Sequence, residues 1–309
     1  MQIIKSSNIQ FIQQRKRAYI FSIALLVLGI VTVISRGGLN YGIDFRGGTS
    51  IVLQFEEPVT VSELRDALGQ GEIGTAEIKR FGSRNEVLIY VKQQKEIGMQ
   101  TIAVRVDSLI QGALPQLKYD RIKFDTVGPK IGKELRTSAI WAVLIALLLI
   151  LVYIGWRFEL VFSIGAIIAL FHDVLITLGI FTLAGFELSL KEIAAFLTIV
   201  GYSLNDTIVV YDRIRENLKV LRSENLDVII DKSINQTLSR TLITSGTTLI
   251  VVLALFLFGG SVIKGFSFTM VVGILIGTYS SIYVASPLVL EWQSRHGGKG
   301  KLRMMKRRK

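Results

Sequence analysis

The chain of 309 residues contains no cysteine and only two histidines, His172 and His296. The first absence excludes disulfides, thiolate catalysis and cysteine metal sites, and the second leaves nothing from which a His-rich metal site could be assembled. A nucleotide loop is missing too. Gly128-Pro129-Lys130-Ile131-Gly132-Lys133-Glu134 has one residue too few between its glycines, and Glu134 stands where Ser or Thr should follow the lysine. Energy from ATP would therefore have to arrive through a partner. We expect no enzyme, no cofactor and no metal. Acids are absent after Glu291, whereas that tail carries Arg295, Lys299, Lys301, Arg303, Lys306, Arg307, Arg308 and Lys309.

Hydrophobic residues are abundant and clustered. Half of the chain is hydrophobic and its mean hydropathy is +0.49, more than one soluble core could bury, so the sequence reads as a polytopic α-helical membrane protein. Six stretches suffice for transmembrane helices of roughly 20 residues: Ala18 to Ser35, Thr137 to Ile154, Leu160 to Ala184, Ile193 to Val210, Leu242 to Phe258 and Phe266 to Leu290. The first is longer than a signal-peptide core and no Ala-x-Ala site follows it, so it reads as a retained anchor. Arg15, Lys16 and Arg17 before it and the basic tail after the sixth span put residues 1–17 and 291–309 on the cytoplasmic side of a plasma (inner) membrane protein. Residues 37–134 are then external. That segment holds 13 Lys/Arg against 13 Asp/Glu, so the +12 excess lies elsewhere and is chiefly a topological signal. Contact of the tail with anionic lipid or with RNA is the competing explanation, and no nucleic-acid partner is expected.

The external segment alternates strand and helix signals. Thr49 to Phe55, Ala76 to Phe81, Val87 to Val91 and Tyr119 to Phe124 have strand character. Thr60-Val61-Ser62-Glu63 resembles a capping box opening a helix through Leu68, and Ile97 to Leu114 has helical spacing. The order β-α-β-β-α-β predicts a ferredoxin-like α+β domain between transmembrane helices 1 and 2. Within residues 137–290, the charged and apolar mixture of residues 213–239 predicts cytoplasmic amphipathic helices, most simply a connecting hairpin on the membrane surface.

One acid interrupts an apolar run: Asp206 follows Ser203-Leu204-Asn205 and precedes Thr207-Ile208-Val209-Val210. A carboxylate there costs at least about 2.5 kcal/mol on insertion scales, and such groups usually serve ion or proton movement. A fourth helix starting outside near Leu190 puts Asp206 about 24 Å down. A fifth helix starting inside near Asn235 brings Arg240 to a similar depth, where the two could pair and gate proton uptake. A static buried pair, or an Arg240 snorkelling to headgroups, is the alternative. Asp173, beside His172, falls mid-bilayer and is a relay candidate or an inter-helix hydrogen bond. Adjacent residues point about 100° apart on a helix, so His172 and Asp173 should not face one pocket equally. Ser203, Asn205 and Thr207 beside Asp206, and Thr244, Ser245, Thr247 and Thr248 on the fifth span, offer hydrogen bonds to water or neighbouring helices. Gly273-Ile274-Leu275-Ile276-Gly277 is a GxxxG that suits packing within the chain.

Tyr41-Gly42-Ile43-Asp44-Phe45-Arg46-Gly47-Gly48-Thr49 opens the external domain, and Thr126-Val127-Gly128-Pro129 closes it. Together with His172-Asp173 and the run Gly201 to Asn217, these motifs resemble the SecF subunits of the Sec protein translocase, in the SecD/SecF family of the resistance-nodulation-division superfamily. The resemblance covers nearly the whole chain. It implies an accessory subunit that works with SecD, using the proton-motive force in late preprotein translocation across the plasma membrane. It further implies the SecYEG channel, YajC and YidC as partners beside the preprotein and the lipid bilayer, and Asp206 and Arg240 in proton movement. Carboxylates serve H+ and Na+ alike, so the coupling ion stays open. A small-molecule or lipid exporter of the same superfamily is the rival reading, against which the single small external domain counts. A third is a non-transporting structural subunit in which Asp206 only packs.

Overall fold

The computed structural model describes residues 8–69, 73, 76–81, 84–92 and 99–296. The expectations for residues 1–7 and for the tail beyond residue 296 lie outside these residues, as do residues 97 and 98 of the second expected helix of the domain. Among the described residues six helices are long and apolar enough to cross a membrane: Ile12–Ser35, Lys130–Arg157, Leu160–Leu183, Leu190–Val220, Leu226–Phe258 and Ser261–Arg295. Each matches the apolar run expected of it, the third ending at Leu183 rather than Ala184, and together they make a multi-pass membrane protein.

In chain order the elements are α1 (Arg15–Ser35), α2 (Ile43–Arg46), β1 (Gly48–Phe55), α3 (Val61–Gly69), β2 (Glu77–Arg80), β3 (Glu86–Val91), α4 (Met99–Ala113), β4 (Tyr119–Val127), α5 (Pro129–Arg157), α6 (Leu160–Leu183), α7 (Leu190–Val220), α8 (Leu226–Phe258), α9 (Ser261–Ser280) and α10 (Ser286–His296). A π-turn, Ser281–Ala285, joins the last two. Pro287 has no N–H to give the preceding turn, and Ser286 Oγ instead donates to the Ser281 carbonyl at 2.7 Å.

Elements α2 to β4 form a mixed α+β domain between the first and second spans. Its sheet has the order β2-β3-β1-β4 with every pair antiparallel. The predicted capping box forms: Thr60 N–H donates to Glu63 Oε2 at 2.9 Å and Glu63 N–H to Thr60 Oγ1 at 3.2 Å. Helices α3 and α4 cover one sheet face, burying Leu64, Leu68, Ile102, Val106 and Ile110 against Ile51, Leu53, Val87 and Ile89. The other face is not left to solvent, because Val52, Leu88 and Tyr90 pack on Ile43 of α2. Strand β1 is therefore buried on both sides. Gly48 pairs with Val127, so the domain's first and last strands meet where the chain joins the helices.

Residues 213–239 comprise the end of α7, the turn 221–225 and the start of α8, the two arms being continuous with the spans. Helix α7 runs on to Val220 and α8 starts at Leu226, each too long for an apolar core of about 30 Å at 1.5 Å per residue. The polar stretch is the extension of two spans beyond that core. Small residues set the helix crossings. A Cβ on Gly179 of α6 would lie 2.3 Å from Gly29 Cα of α1. On α9, Gly273 is filled by Ile199 and Gly277 by Ser203, both from α7, so the GxxxG packs within the chain. Helix α5 stands apart, with 11% of its apolar window buried against 56% for α6.

Candidate functional site

Helix α7 presents one buried stripe of Ile199, Val200, Ser203, Leu204, Asp206, Thr207, Val210 and Tyr211 to the bundle. Asp206 is 3% exposed on it. Its Oδ2 accepts the Ser245 hydroxyl of α8 at 3.2 Å, and Ser245 Oγ lies 2.8 Å from Thr278 Oγ1 of α9. Among the described residues no ion pair joins Asp206 to Arg240, which is exposed. The antiparallel register explains this. Asp206 faces Ser245, Arg213 bonds Gln236 and Asn217 bonds Ser233, which puts Arg240 opposite the neighbourhood of Val210, about one helical turn or 5 Å from Asp206.

The second carboxylate is more deeply enclosed. Asp173 on α6 is 1% exposed, and its Oδ2 accepts hydroxyls from Ser203 of α7 and, at 2.7 Å, from Ser280 of α9. Its Oδ1 is 2.8 Å from His172 Nδ1, whose Nε2 lies 2.9 Å from Ser22 Oγ of α1. Ser22 Oγ is 3.1 Å from the Tyr279 hydroxyl, which donates to the Ala18 carbonyl at 2.8 Å. His172 and Asp173 do not face the bundle alike: the imidazole bonds its neighbour's carboxylate and reaches Ser22 of α1 with its other nitrogen, whereas Asp173 takes its remaining bonds from Ser203 of α7 and Ser280 of α9. With Asp173 ionised, Nδ1–H donates to it and Nε2 accepts from Ser22. With Asp173 protonated, each of those bonds can reverse, since a neutral imidazole carries one donor and one acceptor. The arrangement can thus hold the pair with or without the added proton, and only with Asp173 protonated, when Nε2–H donates to Ser22, is the Ser22 hydroxyl free to donate to Tyr279.

The carboxylates approach α9 from different sides. Ser203 and Asp206 are one turn apart on α7, and Thr278 and Ser280 two residues apart on α9, so both helices touch both clusters. Of the polar residues expected to support Asp206, Thr207 is buried, Asn205 is exposed, and Thr244 Oγ1 bonds the Arg240 carbonyl of its own helix at 3.0 Å. The sequence reading missed Ser22, Thr278, Tyr279 and Ser280. Ser22 is an isolated hydroxyl in an apolar run, whereas Thr278, Tyr279 and Ser280 belong to the hydroxyl run Thr278-Tyr279-Ser280-Ser281.

The motif that opens the domain clamps it to the helix ends. Gly42 N–H donates to the Leu188 carbonyl at 2.8 Å and Leu188 N–H to the Asn40 carbonyl at 2.6 Å. Asp44 Oδ2 accepts the N–H of Leu190, first residue of α7, at 2.9 Å. Behind it, Ser189 and Glu192 complete a capping box on the same helix end. Gly48, at φ +114°, leaves room for the Val91 carbonyl, which a Cβ would meet at 2.6 Å. Gly132 in the first turn of α5 sits against Gly47, and Arg136 lies 5.0 Å over the Tyr41 ring, itself edge-on to Phe45. Arg46 lies 4.4 Å over the Tyr90 ring and is ion-paired with Glu77. The Arg46 guanidinium holds the Glu77 carboxyl below its usual range, and Glu77 in turn raises Arg46. Tyr90 closes the loop by donating to the Gly47 carbonyl at 2.6 Å.

Two family models match the chain. Residues 109–295 match "Protein export membrane protein SecD/SecF, C-terminal", and residues 33–59 match the SecD/SecF GG motif. The chain is 45% identical over 309 residues to a protein translocase subunit SecF from Rhodothermus marinus, covering 98% of this chain and 99% of that one. It is 44% identical to the Escherichia coli O157:H7 protein of the same name, covering 86% and 83%. Among solved structures it resembles SecDF from Thermus thermophilus, described as a translocon-associated membrane protein, with a TM-score of 0.83 and 42% identity over 94% of this chain. It spans 39% of that longer chain.

Proposed function

The chain belongs to the SecD/SecF family of protein-export membrane proteins, and from that premise we propose how it works. It is an accessory subunit of the Sec export machinery that, with SecD, couples the proton-motive force to late preprotein translocation. A separate SecD fits the 39% of the fused SecDF chain that is covered. SecYEG, YajC and YidC follow by family analogy. The basic residues at both ends support an inner-membrane orientation with residues 1–17 and 291–309 cytoplasmic and residues 37–134 outside. The strand order β2-β3-β1-β4 supports a ferredoxin-like arrangement for the external domain.

Asp206 is the carrier in this reading, Arg240 its charge partner after a shift of one turn, and Asp173 a relay. Protonation of Asp206 removes the charge that the Ser245 hydroxyl offsets, which changes what the α7–α8 contact can tolerate. The observation that carries the reading is mechanical. Helix α7 bears Asp206, binds Asp173 through Ser203, and is held at its first residue by Asp44 of the domain-opening motif. A proton-driven shift of α7 would therefore pull on the external domain. The work is conformational, and no covalent step is involved.

The test is preprotein release from vesicles carrying the Sec channel, SecD and Asp206→Asn. Release that no longer responds to the proton gradient, in a folded variant, supports the reading. Normal gradient-dependent release would sink it. Imposing a pH gradient or a sodium gradient separately identifies the ion.

A further inference from the structure

Beneath the external domain, where it meets the helix ends, lies a cavity of about 320 Å³. Lys79 and Arg80 of β2, Lys123 of β4, Lys191 of α7 and Lys264 of α9 line it, against the carboxylates Glu187 and Glu192. Neither carboxylate is spare. Glu187 pairs with Lys79 at 3.4 Å, and Glu192 closes the capping box on Ser189. Lys123 pairs with Asp125 on its own strand. Arg80 and Lys191 form no ion pair among the described residues, so the walls keep an excess of positive charge.

The rim has the opposite character. Phe81, Phe186 and Val262 are among its lining residues, and Val262 at the start of α9 is 41% exposed. Apolar side chains beside unmatched cations describe a headgroup and hydrocarbon boundary. In the orientation proposed above this boundary is external, where span-flanking Lys and Arg are ordinarily scarce.

We propose that this cavity binds the phosphate of an anionic phospholipid, with Arg80 and Lys191 as its principal partners. The volume admits a phosphate ester and several waters, at about 30 Å³ per water. A free phosphate has the same charge chemistry, but the apolar rim favours the lipid. The bound headgroup bridges the domain's sheet and the starts of α7 and α9, so the position of the domain over the bundle depends on lipid.

The test uses the delipidated full chain in detergent, incubated with phosphatidylglycerol or phosphatidylcholine, with bound lipid counted by native mass spectrometry. The wild type should retain phosphatidylglycerol preferentially. Arg80→Gln with Lys191→Gln should weaken retention about thirtyfold, the expectation for two cations near a headgroup. The charge-keeping pair Arg80→Lys with Lys191→Arg should retain it, as should Lys118→Gln, which lies on another face of the domain. Equal retention of the two lipids by wild type, undiminished retention by the Gln pair, or loss in the charge-keeping pair would overturn the proposal. So would phosphorus NMR that finds inorganic phosphate bound as tightly as the lipid. The assay involves neither a proton gradient nor preprotein, so its failure leaves the proton-driven reading standing.

Discussion

Asp44, in the short helix α2 that opens the external domain, accepts the backbone N–H of Leu190, the first residue of the helix that carries Asp206. It therefore serves that helix as a capping acceptor supplied from a distant part of the chain. Both the geometry and the charge favour the contact, since free N–H groups and the positive end of the helix dipole meet there.

Asp44→Ala should lower thermal stability by roughly 0.5 to 2 kcal/mol, the ordinary cost of losing a helix N-terminal acceptor. Its larger effect should be on gradient-dependent preprotein release. Because it slackens the link between domain and α7, release should fall even where the variant is fully folded, as checked by thermal unfolding of the same preparation. Asp44→Asn keeps an acceptor oxygen and should lie between wild type and Ala in both measurements.

Gly179→Leu should be far more damaging than its conservative appearance suggests. Even a Cβ at this position lies 2.3 Å from Gly29 Cα, so α1 must leave α6. Overpacking of this kind costs about 1 to 3 kcal/mol or more. The separation also breaks the reach of His172 to Ser22. A fall in unfolding temperature together with lost export is expected, and unchanged stability would refute the crossing described above.

Ser245→Ala removes the hydroxyl that meets Asp206, leaving a buried carboxylate without its donor. A loss of about 1 to 3 kcal/mol is expected. The double variant Ser245→Ala with Asp206→Asn should not add the two single effects, because both remove the same interaction. Additive unfolding free energies would show that the serine acts elsewhere.

Acid should loosen the external domain at the Arg46–Glu77 pair. Glu77 has a folded pKa below its unfolded value of about 4.3. Its contribution is therefore complete above that value and is lost as pH falls through the lower, folded pKa. The pair is partly exposed, so the contribution is under about 1 kcal/mol. Amide exchange in β2 and β3, corrected for its intrinsic pH dependence, should rise below about pH 4.3 in wild type. The rise should be smaller in Glu77→Gln.

Much of the architecture was legible in the amino-acid order. The spans follow from the length of apolar runs, and the capping box at Thr60 and Glu63 from its spacing. The continuation of α7 and α8 through residues 213–239 was not legible. Amphipathic extensions of long helices and a separate surface hairpin have the same composition, and only the location of the break, between Val220 and Leu226, tells them apart. Asp206 and Asp173 stood out because charge in an apolar run is costly. Ser22, Thr278, Tyr279 and Ser280 did not, because a hydroxyl can bond its own helix backbone at no such cost, as Thr244 does.

By itself the sequence determined that this chain crosses a membrane six times, that it carries one α+β domain after the first crossing, and which carboxylates lie within the spans. These are consequences of hydrophobic length, local periodicity and the cost of charge, all properties of contiguous residues. Only the tertiary structure decided that Asp206 meets Ser245 rather than Arg240, that His172 joins Asp173 to α1, and that Asp44 holds the start of α7. Those contacts depend on the rotation and register of helices far apart in the chain, which are set by close packing at Gly29, Gly179, Gly273 and Gly277.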